Sequence, residues 1–537
     1  MPVKISYPGV YIDEVKSSVR TITGVPTSIA AFVGWAPRGP ADEPVHITSW
    51  ADYETQFGGL HPDSPMSYAV EQFYRNGGAE AEIVRVVKHP APDAKAPVLP
   101  IGKKPKSGTD TRPTLVPVGP GAWAQNLTAR VEGVEDEDGK GDKKGVYNLR
   151  LTDTGTGVEE TYLNVSTDPD SPRSLRRVVA VSQLVRYDKD GSKPPEKNDD
   201  EPPKGDHQAE GEDQPSKDLF SKVDPVPKDE FPALIDYEGD EAKKTGLQAL
   251  LKADIFNILC IPDATERLKD AQQSQHLMQT AVGFCHDHRA VLLVDPPNAW
   301  NQTSPSEVAK AARTLPITGD DARNAAIYYP RVLATDLARG GLVKDFPPCG
   351  VMAGVLARTD AQRGVWKAPA GTDASLNAVQ GLMTPLTDLE NGRLNQLGVN
   401  CLRELPAVGP VAWGARTMRG NDQLTDEWKY LPVRRLALFL EESLFRGTQW
   451  VVFEPNDEPL WASIRLNIGA FMNSLFREGA FQGRTPAEAY LVKCDRENNP
   501  QNDIDRGIVN IQVGFAPLKP AEFVIIHIQQ LAGQVQV

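Results

Sequence analysis

Cysteine is scarce in this chain, and its distribution excludes the simplest disulfide and zinc frameworks. The 537 residues contain five cysteines, at positions 260, 285, 349, 401 and 494, so their number is odd and their spacing wide. No Cys-x-x-Cys pair occurs, although that spacing is typical of structural zinc sites and redox dithiols. We therefore expect reduced thiols in a protein synthesised in a cytoplasm.

The chain has no excess of positive charge. It holds 58 lysines and arginines against 72 aspartates and glutamates, a net charge of −14. Residues 188–230 alone contain fourteen acids, seven lysines and seven prolines, with few apolar side chains. A nucleic-acid-binding protein needs a basic face, so we expect no nucleic-acid partner. The acidic stretch is too polar to pack, and the sequence predicts an exposed, flexible loop over residues 188–244.

Long hydrophobic runs are missing as well. No apolar run reaches the length of a membrane span, and the first ten residues, MPVKISYPGV, lack the apolar core of a secretory signal peptide. We expect no direct insertion into a membrane and no export by the standard secretory signal.

The common catalytic motifs are also absent: no HExxH, no G-x-S-x-G and no Walker A motif occurs. The cluster 285–288 (Cys-His-Asp-His) has two interpretations, zinc ligands or the end of a helix, where histidines are favourable with the dipole. Asp295, with His286 or His288, could serve a cell-envelope hydrolase on residues 245–374, or could simply occupy a turn. Since no ligand set or nucleophile motif is complete, we expect no enzyme, no metal and no cofactor.

Arg416 stands in the distinctive motif 413–417, WGART. It could clamp an anion, or it could be a structural arginine bonded to a carboxylate or to strand carbonyls. We favour the structural interpretation.

The patterns that are present predict a mixed α/β fold with several domains. Apolar runs at 28–34, 81–87, 255–261 and 290–294 indicate buried strands, and their alternation with helical segments over 245–370 favours a mostly parallel sheet. Strand-like pieces in 113–187 indicate a β-rich insertion. Amphipathic helices are expected at 434–446, ending at Gly447, and at 459–478, ending at Gly479.

The two ends of the chain show strand patterns without an obvious partner. Near the C-terminus, Val509, Ile511, Val513 and Phe515 alternate with polar residues or glycine, which is typical of a half-buried strand. Near the N-terminus, residues 6–15 are similarly apolar. Because an open strand edge can pair with another chain, these ends predict a subunit that joins copies of itself.

Taken together, these residues resemble the contractile tail sheath family of phage tails, R-type bacteriocins, type VI secretion and extracellular injection systems. The resemblance covers about residues 5–90 and 320–537, more weakly 245–320. Its short motifs lie at 7–11, 23–34, 39–40, 57–59, 76–78, 328–330, 347–350, 353–370, 398–400, 413–418, 428–430, 433–436, 453–456 and 520–523. The acidic stretch departs from the family pattern.

The resemblance implies a multidomain subunit with a discontinuous inner α/β domain and outer insertions. Its parts would be an N-terminal strand arm (1–20), an inner tube-facing domain (21–90 plus 375–505), an outer β-rich insertion (91–187), the acidic loop, an α/β middle domain (245–374) and a C-terminal strand arm (506–537). The arms would pair with neighbouring subunits. The arm residues would be Tyr7, Pro8, Gly9, Val10, Tyr11, Val509, Ile511, Val513 and Phe515.

The resemblance also implies a structural function. The chain would polymerise into a helical sheath around an inner tube and contract to drive that tube through a target envelope. Its partners would be itself, the tube protein, and baseplate and terminal cap proteins. Assembly would occur in a bacterial cytoplasm, with release by lysis. The pattern favours an extracellular injection system or R-type particle, with a phage tail as the alternative. On the helix 459–478, Arg465, Asn467, Asn473 and Arg477 would face the tube, with Arg465 and Arg477 as the contact.

Overall fold

The structure is a computed structural model that describes residues 20–88, 97–102, 112–135, 142–189, 221–222, 231–268 and 270–526. The expected arm residues Tyr7 to Tyr11 and most of the acidic stretch lie outside the described residues. The strands of the described chain are β1 Ala30–Gly34, β2 Pro44–Ile47, β3 Ala81–Arg85, β4 Leu99–Pro100, β5 Thr114–Pro117, β6 Leu127–Glu135, β7 Asp142–Asp153, β8 Val158–Ser166, β9 Val185–Lys189, β10 Ser221–Lys222, β11 Ile258–Cys260, β12 Val291–Val294, β13 Ala325–Tyr329, β14 Val332–Asp336, β15 Leu342–Phe346, β16 Gly381–Leu382, β17 Val399–Leu405, β18 Gly409–Ala412, β19 Tyr490–Lys493 and β20 Gln512–Phe515.

Helices alternate with these strands, as the sequence pattern predicts. The α-helices are α1 Trp50–Phe57, α2 Pro65–Arg75, α3 Leu175–Val178, α4 Leu234–Glu238, α5 Asp263–Glu266, α6 Ala271–Asp287, α7 Pro305–Ala312, α8 Cys349–Arg363, α9 Asp388–Asn395, α10 Leu431–Gly447, α11 Glu458–Arg477, α12 Pro486–Ala489 and α13 Gln501–Asp505. None of the described helices is long and apolar enough to cross a membrane.

The largest sheet has eight strands in the order β18-β17-β13-β12-β11-β1-β3-β2. Pairing is parallel from β17 through β3, and the two edge strands β18 and β2 are antiparallel. Strand β1 pairs directly with β11, with Ala30 opposite Ile258. The sheet therefore joins residues 21–90 to the segment 245–374 as well as to 399–412, so the expected boundary between an inner and a middle domain does not coincide with a break in the sheet.

Both faces of this sheet are covered, which is why its strands are continuous apolar runs rather than alternating ones. One core includes side chains of α2 and α8, such as Phe73 and Val355. The core on the other face includes side chains of α6 and α7, such as Phe284 and Val308. Helices α5 and α6 are separate, because Asp270 accepts a hydrogen bond from the backbone of Gln272 and starts a new helix.

The predicted β-rich insertion has its own core. Strands β10, β6, β7 and β8 form one sheet, β4, β5 and β9 form another, and their apolar side chains share one cluster. A buried ion pair of 3.3 Å between Arg38 and Asp153 ties the insertion to the main sheet. The tie is far from the sheet's opposite edge at β18.

The C-terminal unit consists of α10, α11, the hairpin β19–β20 and the short helices α12 and α13. Helix α10 contributes Leu438 to the core of the main sheet and Leu440 to the core of this unit. Asp457 caps α11, with its side chain accepting from the backbone of Leu460, and Gly479 follows with φ +82°. The two helices occur where their apolar periodicity predicts them.

Candidate functional site

The C-terminal strand is paired inside its own chain. Strand β20 runs antiparallel to β19, with Val513 opposite Val492 and Phe515 opposite Tyr490. Val509, Ile511, Val513 and Phe515 pack against the core of the C-terminal unit. The expectation that this strand lacks a partner in its own chain is wrong: its alternating side chains cover the same core as α11. The strand is also shorter than predicted and begins at Gln512.

The residues after this strand are far more exposed than the strand itself. Phe523, Val524, Ile525 and Ile526 are 75%, 80%, 78% and 77% exposed. They belong to no helix or strand of the described chain. Three of these four consecutive residues are β-branched, so their composition is typical of a β-strand, yet no strand of the described chain pairs with them. Consecutive exposed apolar residues of this kind often mark an interaction site. The sequence signal for this segment is its short apolar run FVII at 523–526. This run is less conspicuous in the sequence than the longer alternation at 507–515.

Arg416 holds the residue that precedes this exposed run. Its Nε donates to Oε1 of Glu522 at 2.7 Å, and its Nη2 donates to Oε2 at 2.5 Å. Its Nη1 donates to the carbonyls of Asn395 and Gly420 and to Asp422. Carboxylates and carbonyls of the chain itself therefore surround Arg416, which confirms the structural interpretation of this arginine.

The first described residues, 20–25, lie along α10 and α11. The backbone N–H of Arg20 donates to Asn467 on α11 at 3.1 Å, and that of Val25 donates to the Ser443 hydroxyl on α10 at 3.2 Å. Ile22 is buried in the core of this unit. Gly447, expected just beyond the helix, is its last residue: a Cβ there would lie 2.6 Å from Ile22, so a glycine is required for this close approach.

The outward face of α11 differs from the polar face that the sequence predicts. Asn467 is buried, where it accepts from Arg20. Arg465 is engaged by Glu458 and by the carbonyl of Cys494. Leu466 is 55% exposed. The exposed positions are charged at the two ends of the helix and small or apolar between them, and they are Glu458, Pro459, Ala462, Leu466, Ala470, Ser474 and Arg477.

An exposed aromatic turn precedes this helix. Phe453 is fully exposed and has φ +70°, and Val452 beside it is also exposed. A bulky residue in the left-handed region is uncommon and marks local strain. Neither the exposure nor the backbone conformation of Phe453 has a signal in the sequence.

The residues considered for catalysis do not form a common site. Asp295 follows the C-terminal end of β12, whereas His286 and His288 precede its N-terminal end, so a strand of about 13 Å separates them. His288 stacks on Phe284 with ring centroids 4.1 Å apart, and Nε2 of His286 lies 3.0 Å from Arg323. Cys285 is buried, and burial raises the pKa of its thiol well above the usual value.

The residues considered as zinc ligands do not form a metal site in the part of the chain that the structure describes. The described residues contain no group of three or more His, Cys, Asp or Glu side chains arranged to hold a metal ion. The cluster 285–288 instead ends α6, with the backbone N–H of His288 donating to the carbonyl of Phe284. Residues 285–288 are therefore placed by the end of helix α6 and by packing in the core, not by a shared ligand.

Comparisons with known proteins assign the fold. Residues 423–530 match the family model described as the phage tail sheath C-terminal domain. A tail sheath protein of Vibrio phage KVP40 is 27% identical over 182 residues, which are 34% of this chain and 26% of that protein. A putative prophage major tail sheath protein of Pseudomonas aeruginosa is 25% identical over 305 residues, which are 55% of this chain and 72% of that protein. The match thus spans about a quarter of the Vibrio phage relative.

The solved structures extend the match to nearly the whole chain. A sheath complex of an extracellular contractile injection system, PVC, in its contracted state is 21% identical, with a TM-score of 0.55 and 98% of each chain covered. This likeness confirms the predicted mixed α/β multidomain fold. The matches to tail sheath sequences confirm the resemblance found in the sequence motifs. The chain is therefore related in sequence to tail sheath proteins, contains their C-terminal domain at 423–530 and has the fold of a contractile sheath subunit.

Proposed function

We propose that this chain is the sheath subunit of a contractile injection machine. It polymerises into a helical sheath around an inner tube and contracts to drive the tube through a target envelope. The observation that carries the proposal is the fold match over 98% of both chains to a sheath from an extracellular contractile injection system. The tail sheath domain at 423–530 supports it independently from the sequence. The sheath would be assembled in a bacterial cytoplasm and released by lysis.

Strand donation between copies is the proposed means of polymerisation. Strands β19 and β20 form a sheet of only two strands within the described chain, so their outer edges have no neighbouring strand there. The apolar residues 523–526 are exposed within the same C-terminal region. Adding such a segment to an open edge satisfies backbone groups and covers apolar surface together. We assign the C-terminal donor to residues beyond Glu522, and leave the N-terminal donor at residues 7–11 as a prediction.

The proposed tube contact is the outward face of α11 with the turn before it. Leu466 and Phe453 are exposed apolar side chains, which suit the centre of a protein interface, and Arg477 suits its polar rim. Arg465 is less suited than the sequence predicts, because Glu458 and the Cys494 carbonyl already engage it. The baseplate and a terminal cap would bind the two ends of the helical assembly.

Two alternatives have different standing. A phage tail sheath would use the same fold and contacts, and the phage relatives keep this alternative open. A cell-envelope hydrolase on 245–374 is disfavoured by the geometry, because Asp295 is separated from His286 and His288 by the length of β12.

Assembly in the presence and absence of the tube tests the proposal. The full-length chain is produced with and without the tube protein of the same particle, and the products are imaged by negative-stain electron microscopy. We expect tubular sheaths of ordered helical repeat, with the tube enclosed when it is present. A protein that stays monomeric with its tube partner at high concentration would contradict the sheath function.

A further inference from the structure

Glu522 is a covered residue within an exposed stretch of the chain. The preceding residues 518–521 line a groove of about 970 Å³ whose walls include Trp366, Trp413 and Tyr430, although Leu518, Lys519 and Ala521 are themselves exposed. The Glu522 side chain is 16% exposed, whereas each of the next four residues is at least 75% exposed. Glu522 is thus the last described residue whose side chain is mostly covered by its own subunit.

The backbone of the chain is not fixed by secondary structure at this point. In the described chain, residues 518–526 donate no backbone hydrogen bond and belong to no strand. The polar contacts of Glu522 are those with Arg416 and a longer one of 3.4 Å from the Tyr430 hydroxyl. A bidentate arginine–carboxylate pair fixes direction as well as position, because two parallel hydrogen bonds define a plane.

Arg416 is itself rigidly mounted. It is completely buried, and its backbone N–H donates to Oδ1 of Asn400 on β17 at 2.7 Å. The Asn400 amide donates back to the Arg416 carbonyl at 2.8 Å. Next to it, the carbonyl of Ala415 accepts from Leu431, the first residue of α10. The guanidinium is therefore connected both to the main sheet and to the C-terminal unit.

We propose that the Arg416–Glu522 pair is the anchor from which the C-terminal tail is presented to a second copy of this chain, with Arg416 as a positioning residue. The inference rests on the proposed sheath function. An anchored tail reaches its acceptor edge in a restricted set of directions, which lowers the entropy lost on pairing. The anchor also keeps the point of exit fixed while the subunit changes orientation within the sheath.

Spin labelling tests whether the pair holds the tail. The five native cysteines are buried in the structure, so an Ala521→Cys variant offers an exposed thiol for a nitroxide label. Glu522→Gln, which keeps the shape and removes the charge, and Arg416→Lys, which keeps the charge and removes the fork, are each added to it. We expect both to change the label's spectrum from broad and immobilised to narrow and mobile. The Glu522→Gln chain should remain folded, because Asp422 still accepts a hydrogen bond from Arg416.

The matched control is Glu478→Gln. Glu478 lines the same groove but is exposed and receives only a 3.3 Å hydrogen bond from Ser474, so the label should stay immobilised. Unchanged label mobility in Glu522→Gln and in Arg416→Lys would overturn the anchor.

Sheath assembly tests the consequence. Without the label, Glu522→Gln should reduce the yield of sheath about tenfold or more, as expected for the loss of one charge-assisted bidentate pair, while Glu478→Gln assembles normally. A mobile label with a wild-type yield would overturn the anchor's role and leave the sheath function standing. A chain truncated after Glu522 that still forms full-length sheath would instead contradict strand donation itself.

Discussion

At the scale of single residues, buried charge decides where one substitution has a large effect. Asp295 is 2% exposed, and its Oδ1 accepts from the backbone of Cys349 at 2.9 Å. Burial raises the pKa of this carboxyl to about 6, partly offset by the hydrogen bonds from Cys349. The ordinary value is about 3.9, so the folded state binds the proton more tightly than the unfolded state. The charged carboxylate therefore lowers stability at neutral pH.

Neutralising Asp295 should stabilise the fold at neutral pH. Since the folded pKa is raised, the free energy of unfolding should rise as the pH falls from about 7 towards 4, by at most about 3 kcal/mol from this group. We expect Asp295→Asn to raise the free energy of unfolding by about 1–2 kcal/mol at pH 7.5 and by about half as much at pH 5. Urea unfolding at both pH values measures this. The exposed Asp373→Asn is the control, and equal destabilisation at both pH values would contradict the argument.

Removing Asp360 should have the opposite effect. Arg435 donates to both oxygens of Asp360, at 2.9 and 2.6 Å, and to the carbonyl of Thr27. Both side chains are almost completely buried. We expect Asp360→Ala to lower the free energy of unfolding by about 3–5 kcal/mol, because the Arg435 charge is left buried without its partner.

A matched exposed pair provides the control for this measurement. Arg363 and Asp373 lie 3.9 Å apart with side chains 60% and 78% exposed. Asp373→Ala should change the free energy of unfolding by less than about 1 kcal/mol. If the free energy of unfolding falls equally in Asp360→Ala and Asp373→Ala, burial of the Asp360 pair is not the cause of its effect.

At the scale of elements, local periodicity predicts helices well and strand partners poorly. Helices α10 and α11 differ from their predicted bounds by a few residues only, because caps and apolar periodicity are encoded within each segment. The pairing of β20 with β19 depends on residues about twenty positions apart, and that of Arg416 with Glu522 on residues 106 apart. Such contacts leave no periodic signal.

We expect the exposed residues 523–526 to support sheath assembly through hydrogen bonds of their backbone. A proline at position 525 removes a backbone N–H donor, and Ile525→Thr keeps both that donor and the β-branch. We expect Ile525→Pro to abolish sheath formation without changing the thermal unfolding midpoint, because Ile525 is 78% exposed in the single chain. Ile525→Thr should still assemble. Electron microscopy and calorimetry measure the two properties, and normal sheaths from the proline variant would argue against pairing at this residue.

We expect Leu466 to be the main contact between the outward face of α11 and the tube. We expect Leu466→Asp to weaken tube-dependent assembly while sparing the fold, since an exposed side chain contributes little to internal packing. Leu342→Asp on β15 is the control, because Leu342 is similarly exposed and lies outside the C-terminal unit. Co-sedimentation of sheath with tube measures the contact. If both variants co-sediment with tube as the wild type does, α11 is not the tube-facing element.

At the scale of the whole molecule, the main sheet unites segments that the sequence presents separately. Strands β1 and β11 are adjacent in space although more than two hundred residues separate them in the chain. Parallel pairing of this kind depends on the packing of helices on both faces, which no short window of sequence contains. The buried strands β1, β3, β11 and β12 were predictable from their apolar runs, whereas their union into one sheet was not.

The acidic stretch should be dispensable for this architecture. The preceding strand β9 pairs with β5, and β10 pairs with β6, so the insertion retains strands on both sides of residues 190–220. We expect replacement of 191–219 by a glycine-serine linker to leave the unfolding midpoint and sheath formation unchanged. The resulting particles should aggregate more at low salt, because repulsive charge is lost. Light scattering against salt concentration measures this, and a chain that no longer folds would contradict it.

Both ends of the described chain are fastened to α10. Residues 20–25 follow its side through Val25 and Ser443, and Glu522 is bonded beside its first turn through Arg416 and Tyr430. A mechanical load entering through one arm and leaving through the other would pass along this helix and bypass most of the eight-stranded sheet. A short segment around α10 would then carry the load, and most of the subunit would carry none. Bulky fusions on the β-rich insertion should accordingly leave the transmitted force unchanged.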